Sequence, residues 1–182
     1  MIWFTADQHY GHSNIIKFCN RPFKDCEEMT EVLVANHNQV VKKGDIVYHL
    51  GDLTFQLDAE QYISRLNGQH HLIMGNHEHN SFRKGKRPGV YHSTQQVKEI
   101  KWQGYSFFLS HYSHRVWNKS HFGAIHLYGH SHGNIPNFGR SMDVGVDTNN
   151  FFPYSGEDII ELMGGVDHLQ VDHHYKAFKD CK

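Results

Sequence analysis

Short apolar runs alternate with longer amphipathic stretches over the first part of the chain. Residues 2–6 (Ile-Trp-Phe-Thr-Ala) read as a buried strand that stops at Asp7, residues 45–50 as a strand running into Gly51 and Asp52, and residues 70–74 as a strand running into Gly75, Asn76 and His77. Between them, residues 13–19 predict a short helix capped by Ser13. Residues 25–44 predict a longer one, with Asp25 as cap, Met29, Val32, Leu33 and Val40 at helical spacing, and Gly44 as the stop. Residues 58–68 predict a third, capped by Asp58 and ended by Gly68. The stretch 80–95 is polar and rich in glycine and basic residues, which predicts a loop. Apolar runs then follow closely. Residues 97–110 read as a hairpin turning near Gln103-Gly104 and running into His111, with further strands at 124–129, before His130, and at 141–147. Residues 155–163 open on the capping signal Ser155-x-x-Asp158 and predict a helix, whereas no period is visible beyond Gly164 and Gly165.

Five of these strands end in a small residue or tight turn followed by a metal-competent side chain: Asp7, Asp52, Asn76, His111 and His130. In open α/β sheets the ligand site lies beyond the carboxyl ends of the strands. Early strands alternate with helices and later strands form a hairpin run. That order predicts a mixed sheet, or two sheets packed together, with helices outside.

Composition narrows the chemistry. A chain of 182 residues suits one compact domain spanning 1–182. Lys+Arg total 18 against 19 Asp+Glu, so there is no basic field for a long nucleic acid, while a nucleotide-sized substrate stays open. The 18 histidines equal all the lysines and arginines together. Histidine is the commonest transition-metal ligand; the plainer expectation, applied to most of them, is a His-rich surface. The three cysteines, Cys19, Cys26 and Cys181, form no Cys-x-x-Cys pair, which argues against a disulfide framework or a cysteine zinc site and for a reducing compartment. No stretch has the length and apolarity of a membrane span, and the start lacks the pattern of a signal peptide, so a cytoplasmic location is expected.

The blocks Asp7-x-His9, Gly51-Asp52, Gly75-Asn76-His77-Glu78, His111 and Gly129-His130-x-His132 could each be a plain turn. Together, in this order and all at strand ends, they match a chemical need. Two divalent cations about 3.5–4 Å apart clamp the attacking and leaving oxygens of a phosphoryl displacement. One carboxylate must bridge them, and imidazoles and an amide oxygen complete shells that suit Mn, Fe, Co, Ni or Zn better than Ca or Mg.

These blocks resemble the pattern D-x-H, G-D, G-N-H-D/E, H, G-H-x-H of the calcineurin-like metallophosphoesterase superfamily, over residues 7 to 132. The stretches FTADQHYGHSNIIKFCNRPF and RVWNKSHFGAIHLYGHSHG further resemble a group of small bacterial and phage members. The resemblance implies an α/β fold, a two-sheet mixed β sandwich flanked by helices. It implies that Asp7, His9 and His132 hold one metal, that Asn76, His111 and His130 hold the other, and that Asp52 bridges them. His130 and His132 would point to the same side of an extended segment, each toward its own metal. His77 would stay off the metals and face the substrate as proton donor. His12, Arg21 and Arg115 are candidates for substrate binding; against this, His12 could cap the following helix and the arginines could be surface residues.

The implied activity is a dinuclear phosphoesterase, with two divalent ions of which Mn is favoured. Metal-bound hydroxide would hydrolyse a small or nucleotide-type phosphodiester. A protein Ser/Thr phosphatase or small-molecule phosphomonoesterase is the nearest alternative. The protein phosphatases carry Asp-Arg-Gly after the Gly-Asp block, where this chain has Leu53-Thr54-Phe55-Gln56. From another class, a non-catalytic binding module on the same fold would bind metal without turnover. A structural zinc protein would need only four ligands, and seven are available.

Overall fold

The computed structural model describes residues 1–56, 58–78 and 89–167. Two sheets form its centre. The first holds five strands: β1 (Ile2–Thr5), β2 (Ile46–His49), β3 (Gln69–Ile73), β4 (Ser93–Gln95) and β9 (Tyr154–Ser155), in the order β4-β3-β2-β1-β9. Strands β1 to β4 are mutually parallel, and β9 joins β1 antiparallel. The second holds β5 (Val97–Trp102), β6 (Tyr105–Ser110), β7 (Ile125–Tyr128) and β8 (Ser141–Asp143) in chain order. There β5 and β6 form the hairpin, while β6, β7 and β8 are parallel. The hairpin turn falls on Gln103 and Gly104, both at positive φ (46° and 83°), the geometry that matches strand twist in a two-residue loop.

The facing sides of the sheets bury one apolar core. Ile2, Phe4, Leu50 and Ile73 come from the first sheet, and Phe107, Leu109, Ile125 and Leu127 from the second. A second core lies under α1 (Ser13–Phe18), α2 (Cys26–Val40) and α3 (Glu60–Ile63), where Ile15, Met29, Leu33 and Ile63 meet Leu72. The last helix, α4 (Gly156–Gly164), places Ile159 and Met163 in the inter-sheet core. Two mixed sheets flanked by helices is the expected architecture. Among the described residues no helix is long and apolar enough to cross a membrane.

Several local expectations change. Helix α2 stops at Val40, before Gly44, because Val41 is fully buried in extended conformation and Asp45 draws the chain round. Its carboxylate accepts from the backbone N–H of Lys42, the terminal amine of Met1 and the Trp3 indole. Ser13 does not cap α1; His12 holds the cap position without a side-chain bond. Helix α3 is a single turn that tightens into i→i+3 bonds, Arg65 N–H to Tyr62 O at 3.1 Å and Leu66 N–H to Ile63 O at 3.0 Å. The loop expected over 80–95 contains strand β4, and its part over 80–88 lies outside the described residues. Strand β8 ends at Asp143, because that side chain accepts from the Gly145 N–H at 2.7 Å and a 3₁₀ turn follows at Val146–Thr148. Asp25 and Ser155 do cap their helices, the latter in a full capping box with Asp158.

Candidate metal centre

The carboxyl ends of β1, β2, β3, β6 and β7 converge on one site. β1 and β2 run in register, and their loops continue the ladder: Asp7 N–H to Gly51 O at 3.0 Å, His9 N–H to Asp52 O at 3.0 Å, Tyr10 N–H to Leu53 O at 2.8 Å. β6 and β7 do the same, with Gly129 N–H donating to His111 O at 3.0 Å. Five side chains here stand on left-handed backbone: Asp7 (φ 58°), His9 (54°), Asp52 (55°), His130 (69°) and His132 (48°). Such conformations are costly away from glycine and persist where the surroundings over-determine them.

Two groups of side chains result. Asp7, His9 and His132 bring one ligand atom each within 4.8 Å of one another, and so do Asp52, His111 and His130. Asn76 belongs with the second, its Oδ1 lying 3.0 Å from His111 Nε2. Asp52 stands between the groups: its Oδ2 is 3.5 Å from His111 Nε2 and 3.8 Å from both His9 Nε2 and His77 Nε2. His77 is 40% exposed, at the mouth. Its N–H donates to Asp52 Oδ1, and its ring lies edge-on to Phe55 at 4.2 Å. His12 is on the same rim, its ring 4.4 Å from Phe55 and 5.6 Å from His9.

The electrostatics ask for a cation. Burial, then the carboxylates of Asp143 and Asp52, push Asp7 well above the usual carboxylate range. Its Oδ2 accepts the His130 N–H, but the buried Oδ1 has no partner. Both ring nitrogens of His9 are likewise buried and unpartnered, and burial with His132 beside it pushes this imidazole down to about 2. Unsatisfied buried polar atoms are expensive, and a divalent ion between Asp7 and His9 would satisfy Asp7 Oδ1 and the unprotonated ring nitrogen of His9. The donor atoms are imidazole nitrogens and carboxylate and amide oxygens. Cys19 lies near His132 and Asp147. Burial pushes its thiol up to about 11, and the Asp147 oxygens are already engaged, so it adds no thiolate.

Gly75 and Gly129 make room for this packing. A Cβ on Gly75 would collide with Asp52 Oδ1, and one on Gly129 would stand 2.6 Å from Ala6 Cβ and 2.8 Å from Asp7 Oδ2.

The structure thus gathers Asp7, His9, Asp52, Asn76, His77, His111, His130 and His132, with His12 at the edge. His130 and His132 are not on an extended segment. Both are left-handed, in a tight loop where Ser131 N–H donates to Gly129 O, and the two rings diverge toward separate groups. Arg21 is not turned toward a substrate. Its buried guanidinium donates to both Asp147 oxygens at 2.7 Å and to the carbonyls of Asp7 and Gln8. Arg115 is exposed and lies over the Phe138 ring at 3.8 Å.

Three further carboxylates shape the site: Asp143 and Asp147, which the sequence did not single out, and Glu78 of the Gly75-Asn76-His77-Glu78 block. Asp143 Oδ2 accepts from Ser131 Oγ (2.6 Å) and Gly133 N–H (2.9 Å), which fixes the His130–His132 loop. Asp147 accepts from His132 Nδ1. Glu78, buried, accepts from the N–H groups of Leu53 and Gly75 and so pins two of the loops together. Asp143 and Asp147 did carry a signal, since both interrupt the apolar run Ser141-Met-Asp-Val-Gly-Val-Asp147, where a carboxylate needs a partner.

No family model matches the chain. It is 34% identical over 173 residues to the uncharacterized protein MJ1445 of Methanocaldococcus jannaschii, covering 89% of this chain and 90% of that protein. It is 27% identical over 161 residues to the Gene 66 protein of Mycobacterium phage D29, covering 74% and 79%. Among solved structures it resembles AQ665, a protein of unknown function from Aquifex aeolicus, with TM-score 0.68 at 24% identity over 89% of this chain and 98% of that one. A novel archaeal phosphodiesterase follows with TM-score 0.50 at 18% identity, covering 79% and 82%. This chain belongs to the family of MJ1445, and it has the fold of the calcineurin-like metallophosphoesterases.

Proposed function

We propose that this protein is a phosphoesterase dependent on two divalent cations, with phosphodiesters of small or nucleotide type as its substrates. The position of Asp52 carries the reading. One carboxylate oxygen stands within 3.5 Å of His111 and 3.8 Å of His9, which belong to two separate ligand groups. Asp7, His9 and His132 would hold one cation, Asn76, His111 and His130 the other, and Asp52 both. The mixed nitrogen and oxygen donors suit Mn foremost, with Fe, Ni, Co or Zn as alternatives. Such a pair of ions supplies Lewis acidity to the phosphoryl oxygens and to the attacking and leaving oxygens.

The protein's own groups do the orienting. His111 Nδ1–H donates to the Leu50 carbonyl at 2.8 Å, which leaves Nε2 for a cation, and Asp147 does the same for His132 at 2.7 Å. The His77 ring is half-buried at the mouth and would give its proton to the departing alkoxide. Diesters are favoured because a monoester dianion gains most from a nearby arginine. Among the described residues, Arg21 is spent behind Asp7 and Arg115 lies over Phe138, and the chain reads Leu53 to Gln56 where the protein phosphatases place theirs. The archaeal phosphodiesterase that shares the fold is consistent with this choice.

Elemental analysis of protein loaded with excess Mn, paired with rates on bis-p-nitrophenyl phosphate and p-nitrophenyl phosphate, tests the reading. Two ions per chain, faster diester hydrolysis and loss on chelation are expected. One ion or none would overturn the two-cation centre, and a strong monoester preference would overturn the substrate class. Tight metal binding with no turnover would make the protein a binding module.

A further inference from the structure

A cavity of about 300 Å³ opens directly beside the candidate centre, lined by Met74, Gln96, Val97, His111, Tyr112 and His114 among others. It shares His111 with the centre and runs between the ends of β3, β5 and β6. Tyr112 forms the boundary between the two. Its ring sits edge-on to His111 (centroids 5.0 Å apart) and to His130 (4.7 Å), and its hydroxyl donates to Asn76 Oδ1 at 3.3 Å. Three residues of the centre therefore fix the orientation of this ring, yet Tyr112 is 50% exposed. Val97, which lines the same space, is 43% exposed. An aromatic ring held in one orientation and left open is suited to stacking on another flat ring. Met74 and Val97 supply apolar wall, and the Gln96 amide supplies a donor and an acceptor of the kind that read a base edge.

We infer that this cavity is the subsite for the base of a nucleotide-type phosphodiester, with Tyr112 as its stacking surface. The inference rests on the phosphodiesterase reading above and adds the identity of one ester arm. The volume is at the lower end of small-ligand sites, far larger than a methyl ester requires and large enough for a base. The cavity's position decides which part of the substrate enters. Phosphate at the centre places the ester substituent on the His111 side against Tyr112.

Two diesters with the same leaving group test this: the p-nitrophenyl ester of thymidine 5′-phosphate and methyl p-nitrophenyl phosphate, assayed with Mn-loaded protein. The thymidine ester should be preferred in kcat/KM by about tenfold or more, the gain residing in KM. Tyr112→Ala should cut that preference roughly five- to a hundredfold, the range of one stacked base. Tyr112→Phe, which keeps the ring and loses the bond to Asn76, should retain it. Val97→Trp, at an exposed position, should lower it by filling the space. A preference unchanged in Tyr112→Ala, or lost equally in Tyr112→Phe, would overturn the proposal, the latter because the residue would then act through Asn76. An octyl p-nitrophenyl diester preferred over the thymidine ester would replace the base by a hydrocarbon chain. If neither diester turns over, the phosphodiesterase reading fails by itself. Calorimetry with thymidine 5′-monophosphate, wild type against Val97→Trp, then decides the cavity, and no difference between them overturns it.

Discussion

Asp147 Oδ2 accepts a hydrogen bond from His132 Nδ1 at 2.7 Å, while both oxygens of the same carboxylate also accept from Arg21. One acid thus fixes the tautomer of a candidate ligand and neutralises a buried guanidinium that braces the Asp7–Gln8 backbone. Removing it should damage two things at once. Asp147→Asn is expected to lower affinity for the cation held by Asp7, His9 and His132 by about 10–100-fold. It should also cost about 3 kcal/mol of stability, because Arg21 loses its charge partner. Metal titration and urea unfolding read the two effects separately. Normal affinity with reduced stability would reduce Asp147 to a structural partner of Arg21.

Among the described residues Asp52 alone faces both ligand groups, so Asp52→Asn should weaken both cations and increase the repulsion between them. Asn76→Ala should weaken one. Stoichiometry measured at rising Mn concentration should show two sites shifted in the first variant and one in the second. Equal patterns would remove Asp52 from the bridging position.

His77→Asn should keep both cations. Its cost should depend on the leaving group, because an alkoxide needs a proton and p-nitrophenolate hardly does. A loss of about 10²–10⁴-fold is expected on an alkyl or ribose diester, with a far smaller loss on a p-nitrophenyl diester. Equal losses would mean that the ring holds phosphate, and a lost metal would put His77 among the ligands.

Away from the centre, buried histidines set a pH limit. His70 Nε2–H donates to Leu66 O, which leaves Nδ1 to accept from His49 Nε2 at 2.9 Å. His126 Nε2 accepts from the His114 N–H at 3.0 Å, so its Nδ1–H donates to Phe108 O. These bonds require neutral rings. Burial pushes His70 and His126 down to about 4, and holds His49 well below the usual value of 6.5. Because the folded values lie below the unfolded ones, this stability is present in full above pH 6.5. It is lost as pH falls toward 4, by about 3 kcal/mol for each of the first two rings. Chelated protein should therefore unfold at lower urea at pH 5 than at pH 7.5. His126→Gln should reduce the average slope between them by about 0.8 kcal/mol per pH unit, nearly all of it below pH 6.5. An unchanged slope would show that His126 does not titrate with unfolding.

Much of the site was legible because its ligands follow strands, and strands announce themselves through apolar runs that break at Gly51, Gly75 and Gly129. The order of chemistry along the chain therefore survived into space. What stayed hidden depends on partners distant in sequence. Arg21 looks like a phosphate clamp until Asp147, 126 residues away, claims it. His37, His49, His70 and His126 look like part of a His-rich surface, yet each is buried on a partner that no local pattern reveals. Strand β4 has no apolar alternation, since Ser93, Thr94 and Gln95 form a half-buried edge that, among the described residues, is paired on one side only. The left-handed backbone of His130 and His132 follows from Asp143, whose role depends on the loop it accepts from.

The ladder between β1 and β2 continues past the strand ends into the very residues that carry Asp7, His9 and Asp52. Neighbouring strands lie about 4.8 Å apart in any sheet. The separation of the two groups is thus gauged by the backbone, like the width of a rail track, and no side chain can widen it without unzipping the sheet. Any divergence among descendants of this architecture must run through the identity of the ligands and the walls around them, because the gauge itself is inherited with the fold.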